Sequence, residues 1–227
     1  MVKIGIIAAM QHEMDLLREN IDHLQDVKIA GFVFYIGKIN EHDVILCQSG
    51  VGKVNAGIAS SLMISHFECN LIINTGICGG LGLRKRDVVI AKEVKYHDVD
   101  CSAFGYEYGQ IPGMPKSFVP SIESTLMIKS VLSRLGINYQ NVTVYSGDQF
   151  VLSLDQVKKA NPGDVFACEM EGAGVAQSCT KAGVEFVVLR YVSDCIGESN
   201  QQDDYNMFEA EMSEKSANIC LQIINNL

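Results

Sequence analysis

The sequence predicts an α/β layered domain with a mixed or mostly parallel sheet. Two observations carry this. Apolar runs rich in β-branched residues recur between longer segments of helical period, an alternation that stacks helices on a central sheet. Several of those runs, LIINT at 71–75 and FVVLR at 186–190, are nearly continuous in apolar residues, as expected of strands covered on both faces. A third observation bounds the number of domains. The 227 residues contain only four prolines and no low-complexity linker or internal repeat, so residues 1–227 are expected to form a single domain.

In order along the chain, strand 3–9 (KIGIIAA) opens the core. It is too short to span a bilayer, and no other window reaches that length. Helix 11–20 follows. Strand 28–37 (KIAGFVFYIG) and strand 43–48 (DVILCQ) lead to helix 53–67. Strand 71–75 is followed by a glycine turn, TGICGG, and then by strand 87–94 (DVVIAKEV). Residues 95–120 are irregular yet contain Phe104, Tyr106, Tyr108 and Pro112. A loop of that length in a compact domain usually serves function, and its aromatic content fits a lid or a subunit contact. Helix 121–135, strand 141–146 (NVTVYS), helix 155–160, a short strand 165–168 (VFAC), helix 170–182, strand 186–193 and helix 205–226 complete the chain.

Composition excludes several functions. Eighteen basic residues face 27 acidic ones, a net charge of −9, and no basic stripe offers a nucleic-acid surface. Arg84, Lys85 and Arg86 read as a solvated turn. None of the eight cysteines forms a CxxC pair or sits at zinc-ligand spacing with a histidine; they read as reduced core residues of a cytoplasmic protein. His97, Asp98 and Asp100 in YHDVD are too few ligands for a hard-cation cage, so no metal is expected.

Ligands of open α/β sheets collect beyond the carboxyl ends of strands. Six strand ends here carry a glycine or an acid: 3–9 leads to Met10 and Glu13, 43–48 to SGVGKVNA, 71–75 to TGICGG, 141–146 to SGDQF, 165–168 to EMEG, and 186–193 to Ser193 and Asp194. That convergence points to one small-molecule site. Neither glycine turn matches a dinucleotide or P-loop fingerprint. Each acid alone has a structural alternative: Glu13 as a first-turn helix acid, Asp194 as a helix cap, Glu171 as a lysine partner.

Taken together, IGIIAAMQHEM, SGVGKVNA, NTGICGGL, YHDVDCSAFGYEYGQIPG, SGDQFV, EMEGAGVA and VLRYVSD resemble the 5′-methylthioadenosine/S-adenosylhomocysteine nucleosidases of the nucleoside phosphorylase superfamily. The resemblance implies a three-layer α/β sandwich with a twisted mixed central sheet flanked by helices, a homodimer, no cofactor, and release of adenine from an adenine nucleoside. By resemblance Asp194, oriented by Ser193, is the acid at adenine N7 and Glu13 activates water near Arg190. Glu171 holds the ribose hydroxyls beside Met170. Phe150 stacks on the base, and the backbone of Val151 reads its edge. Met10, Val51 and Tyr205 line the 5′ pocket, which Phe104, Tyr106 and Pro112, within residues 101–113, cap from the partner subunit. Ile77, Gly79 and Glu169 join the pocket lining; Glu169 is expected to be structural. The sequence departs from the family at Ile77, where a small polar residue is usual, at Cys101 on the pocket rim, and in the short LGLRKRD turn. A purine nucleoside phosphorylase and a non-catalytic nucleoside sensor are the alternatives. The chain has AAMQHEM where one phosphorylase branch has its GDPxR phosphate loop, which disfavours the first; the second would not need Glu13, Glu171 and Asp194.

Overall fold

The computed structural model describes residues 2–227. Its elements, in chain order, are β1 (Lys3–Ala8), α1 (Gln11–Glu19), β2 (Asp22–Ile29), β3 (Phe32–Ile39), β4 (His42–Gln48), α2 (Lys53–Ser65), β5 (Leu71–Asn74), β6 (Ile77–Leu81), β7 (Val88–Tyr96), α3 (Ile122–Arg134), β8 (Tyr139–Ser146), α4 (Leu154–Val157), β9 (Phe166–Glu169), α5 (Gly172–Ala182), β10 (Glu185–Cys195) and α6 (Gln201–Asn225). The strands form one mixed sheet ordered β2-β3-β4-β1-β5-β10-β6-β9-β8-β7. Strands β4, β1, β5, β10 and β6 run parallel, as do β9, β8 and β7.

Alternate side chains of the central strands enter two separate cores. Ile7, Cys47 and Ile72 pack with Ala56, Ala59 and Met63 of α2 and Ala173, Ala176 and Cys179 of α5. Ile4, Ile6, Ala8, Leu46 and Ile73 pack with Met14 and Leu17 of α1, Ile128 and Leu132 of α3, and Cys220 and Ile224 of α6. Helices therefore cover both faces, the expected three layers, and the apolar runs follow from two-sided burial. All eight cysteines are unpaired and six are fully buried.

Three features of the sheet differ from the sequence reading, and α6 begins at Gln201, four residues before the expected helix 205–226. The single strand expected over 28–37 is the end of β2, a turn, and most of β3. Ala30 and Gly31 both have positive φ (49° and 89°), the geometry that a two-residue hairpin turn requires. Strand β2 (DHLQDVKI) is almost wholly exposed, so no apolar alternation marks it. The expected glycine turn TGICGG contains β6, which pairs with β10 on one side and β9 on the other. Finally, β10 is long enough to pair with β5 through its first half and with β7 through its middle. The sheet thereby curls until β10, β6, β9, β8 and β7 close a ring. The carboxyl ends of β1, β4, β5, β8 and β9 converge where β10 crosses this junction.

Helix ends are set by local chemistry. Ser121 caps α3 by accepting from the Ser124 N–H, with Glu123 in the first turn and Arg134 in the last. Helix α5 stops at Gly183, left-handed at φ 68°.

Candidate active site

The converging strand ends line one cleft, open to solvent at its mouth. All six strand ends singled out in the sequence contribute to it. The lining includes Met10 and Glu13 after β1, Val51 after β4, Ile77 and Gly79 on β6, Phe150 and Val151 after β8, Glu169, Met170 and Glu171 at the end of β9, Ser193 and Asp194 on β10, and Tyr205 on α6. Ala9, Cys78, Gln149 and Cys168 also line it, neighbours that carried no signal of their own. Four carboxylates thus face one apolar-walled cavity, and each is held differently.

Glu13 lies in the first turn of α1 and folds back on the chain that precedes it. Its Oε2 accepts from the Ala9 and Met10 N–H groups at 2.9 and 3.0 Å, and its Oε1 from the Ile77 N–H at 3.1 Å. A Cβ at Gly76 would sit 2.7 Å from Oε1, so only glycine lets β5 and β6 pass this close. Burial raises the Glu13 carboxyl above its ordinary range, opposed by the backbone N–H groups and the Arg190 charge.

Glu169 and Glu171 are separated by one methionine and do opposite things. Glu169 accepts from Ser146 Oγ on one oxygen, and on the other from Arg190 and the N–H groups of Glu171 (3.0 Å) and Gly172 (2.7 Å). Burial alone would raise it, but Arg190 and these donors hold it below the usual range. Glu171 receives the Gly52 N–H at 3.0 Å, a donor aimed by backbone at φ 105°, where glycine alone is comfortable. Its other oxygen is 3.9 Å from Arg190. Burial, and then the Glu169 charge, push Glu171 up to about 8. It is not a lysine partner.

Arg190 does not line the cavity. It stands behind it, 1% exposed, donating to Glu169, to Asn74 O (3.0 Å) and Asn74 Oδ1 (2.5 Å), and to Leu189 O (3.0 Å). Its charge reaches Glu13, Glu169 and Glu171. No lysine or arginine lines the cleft among the described residues.

At the far wall Asp194 Oδ1 accepts from Ser193 Oγ at 2.5 Å, while Ser193 also reaches Cys78 O at 3.1 Å. Asp194 Oδ2 accepts from Gln201 Nε2 at 2.7 Å. Burial raises the Asp194 carboxyl, and those two donors pull it back. Sequence reasoning missed Gln201: a glutamine opening an otherwise polar helix start has no local signature.

At the mouth, the Phe150 ring lies 5.1 Å from Tyr205, steeply tilted, and Tyr205 Oη is 3.6 Å from Met10 Sδ. Lys85 reaches Asp204 at 2.5 Å and Glu198 at 3.5 Å, and Arg86 reaches Glu211 at 3.5 Å. The expected solvated turn therefore also tethers the start of α6. In YHDVD, Asp98 is taken up by Lys53 at 2.6 Å and Asp100 accepts from Ser102 Oγ at 2.6 Å. Phe104, Tyr106 and Pro112 are away from the cleft of their own chain; Phe104 is 81% exposed. Cys101 is half-buried at the start of that segment.

A family model described as the phosphorylase superfamily matches residues 3–225, so the chain, with its carboxylate-lined cleft, belongs to that superfamily. Among curated proteins, the 5′-methylthioadenosine/S-adenosylhomocysteine nucleosidase of Staphylococcus aureus (strain bovine RF122 / ET3-1) is 42% identical over 196 residues, 84% of this chain and 86% of the relative. Among solved structures, the S-adenosylhomocysteine nucleosidase of Streptococcus pyogenes in complex with 5-methylthiotubericidin superposes with a TM-score of 0.93 at 36% identity, covering 100% of this chain and 97% of the other. The futalosine hydrolase of Helicobacter pylori strain 26695 superposes with a TM-score of 0.92 at 29% identity, covering 100% and 98%. Within the superfamily, the chain belongs to the 5′-methylthioadenosine/S-adenosylhomocysteine nucleosidases and is an enzyme of nucleosidase type.

Proposed function

We propose that this enzyme hydrolyses the N-glycosidic bond of 5′-methylthioadenosine and S-adenosylhomocysteine, releasing adenine and a 5′-thio-substituted ribose. The observation that carries the reading is the pair Glu13 and Asp194, both buried and both raised, lining one apolar-walled cleft together with Glu171.

Cleavage by water builds positive charge on the ribose while the base departs with electron density at N7. Asp194 is the acid that meets N7, its carboxyl oriented by Ser193. Glu13 takes the proton of the attacking water. Its three backbone donors and the Arg190 charge counter its burial, which keeps a base usable near neutral pH. Glu171 has one protein donor against the several of Glu169, so its remaining lone pairs are free for the 2′- and 3′-hydroxyls. Glu169 serves as the anchor of Arg190. Phe150 offers its face to adenine, and the Val151 backbone its edge contacts. Met10, Val51 and Tyr205 form an apolar 5′ pocket in which methionine adapts to short and long thioethers. The Ile77 N–H, not its side chain, contributes at the water site.

We further propose a homodimer in which residues 101–113 cap the partner's cleft, supported by the exposure of Phe104 (81%) and of Val54 (69%) on α2. The eight unpaired thiols fit a reducing cytoplasm. Among the described residues no helix is long and apolar enough to cross a membrane.

Adenine release from both nucleosides, with and without phosphate, tests the reaction. A free pentose at a phosphate-independent rate is expected. A sugar 1-phosphate would replace hydrolysis by phosphorolysis, which a cleft without a cation disfavours. No release with tight binding would mean a sensor.

A further inference from the structure

From Gly197 to Glu211 the described chain exposes, fully or partly, every residue but one. The exception is Gln201, the first residue of α6, 2% exposed. A polar side chain is thus the sole buried anchor of a solvated segment. Its Nε2 donates to Val151 O at 2.8 Å and to Asp194 Oδ2 at 2.7 Å, and its Oε1 accepts from the Gly197 N–H at 3.0 Å. Gly197 is left-handed at φ 87°, and Asn200 before the helix makes no side-chain cap. The segment's other ties are surface contacts, Lys85 with Asp204 and Glu198, Arg86 with Glu211 and His12 with Glu209, and the packing of Tyr205 at the cleft mouth; Gln201 is the buried one.

Val151 O and Asp194 Oδ2 are two acceptors that burial would make costly to leave unpaired. One NH₂ group on an sp² carbon, with its two hydrogens in a plane, satisfies both. A 6-aminopurine whose N7 faces Asp194 and whose edge faces the Val151 backbone presents the same group, an NH₂ on an sp² carbon, to the same pair. We propose that Gln201 is an internal place-holder: its carboxamide occupies the position of the base's amino group in the ligand-free enzyme and is displaced when the base enters. This rests on the adenine reading of the cleft given above.

The exchange replaces two hydrogen bonds by two, so entry of an amino-bearing base leaves no acceptor stranded. A base carrying an oxygen at that position evicts Gln201 and sets an acceptor against two acceptors. Eviction also frees the start of α6 at the cleft mouth.

The test is equilibrium binding of adenine itself to the wild-type enzyme and to Gln201→Ala. With the competitor gone, the variant is expected to bind adenine about 5-fold tighter, the scale of roughly 1 kcal/mol for a net neutral hydrogen bond. Equal or weaker binding by the variant, with adenine still bound by the wild type, would make Gln201 a fixed brace and leave the adenine site intact. Failure of adenine to bind either protein would overturn the site reading and the place-holder with it. A second measurement needs no variant. In the wild type, exchange of the Gln201 side-chain NH₂ protons with water, followed by NMR, is expected to speed up on saturation with adenine. Unchanged or slower exchange overturns displacement even if Gln201→Ala does not fold.

Discussion

At the floor of the cleft, protein answers protein. Glu169 takes donors from Ser146, Arg190 and two backbone N–H groups, Glu13 takes three backbone N–H groups, and Arg190 is sealed behind both. At the rim nothing comparable exists. Phe104 is 81% exposed, Val51 49% and Phe150 38%, and the segment around 101–113 leaves its own cleft uncovered. The floor is preorganised before any ligand arrives, as electrostatic catalysis requires. The rim is apolar surface still to be covered, by substrate and, in our proposal, by a second chain. Defects in the floor should therefore damage chemistry or folding, and defects in the rim should damage affinity.

The largest expected effect is at the proposed acid. Asp194→Asn should lower kcat by ~10²–10⁴-fold with little change in Tm; near-normal adenine release would place the acid elsewhere. Glu13→Gln keeps size and loses basicity, so hydrolysis should fall by a similar factor while a non-hydrolysable nucleoside analogue still binds. Loss of binding along with activity would make Glu13 a binding residue.

Within the floor, Glu169 and Glu171 offer a sharper contrast. Glu169→Gln strips a buried partner from Arg190 and should cost ~3–5 kcal/mol, lowering Tm by about 10 °C. Glu171→Gln should do the reverse at alkaline pH. Glu171 is held up to about 8 from an ordinary 4.5, so it favours the folded state when protonated. That contribution is present below its ordinary value and fades as pH rises through about 8. The glutamine mimics the protonated form. Its Tm should fall less than the wild type's between pH 6 and 9, while its KM rises because one carboxyl acceptor oxygen for the ribose hydroxyls is replaced by an NH₂ donor. Parallel Tm curves for the two proteins would show that Glu171 is not raised.

The smallest effect belongs to the rim. Phe104→Ala should raise KM for methylthioadenosine several-fold and leave kcat nearly unchanged, because the contact binds ground and transition states alike. At 81% exposure its truncation should not alter the Tm of the separated chain. An active monomer with unchanged KM would remove the shared-pocket idea.

Much of this was legible in the chain itself. Two-sided burial writes itself as continuous apolar runs, so the central strands β1, β4, β5 and β10 and the helices that cover them could be read from period and composition. Glycines and acids at six strand ends announced one site, because the polypeptide must turn there and a ligand needs polar groups there. What tertiary structure alone decided is non-local. Strand β2 has no buried face of its own to mark it and exists because β3 pairs with it. TGICGG looks like a turn and becomes β6 because β9 and β10 flank it. The closure of β7 onto β10 depends on how far the sheet curls. The identical-looking acids of EMEG diverge only because Arg190 and Ser146, 21 and 23 residues away in the chain, reach Glu169, while Glu171 meets Gly52. Gln201 is invisible in sequence for the same reason. A side chain's periodicity tells which way it points, but the partners that set its charge and its hydrogen bonds come from elsewhere in the chain.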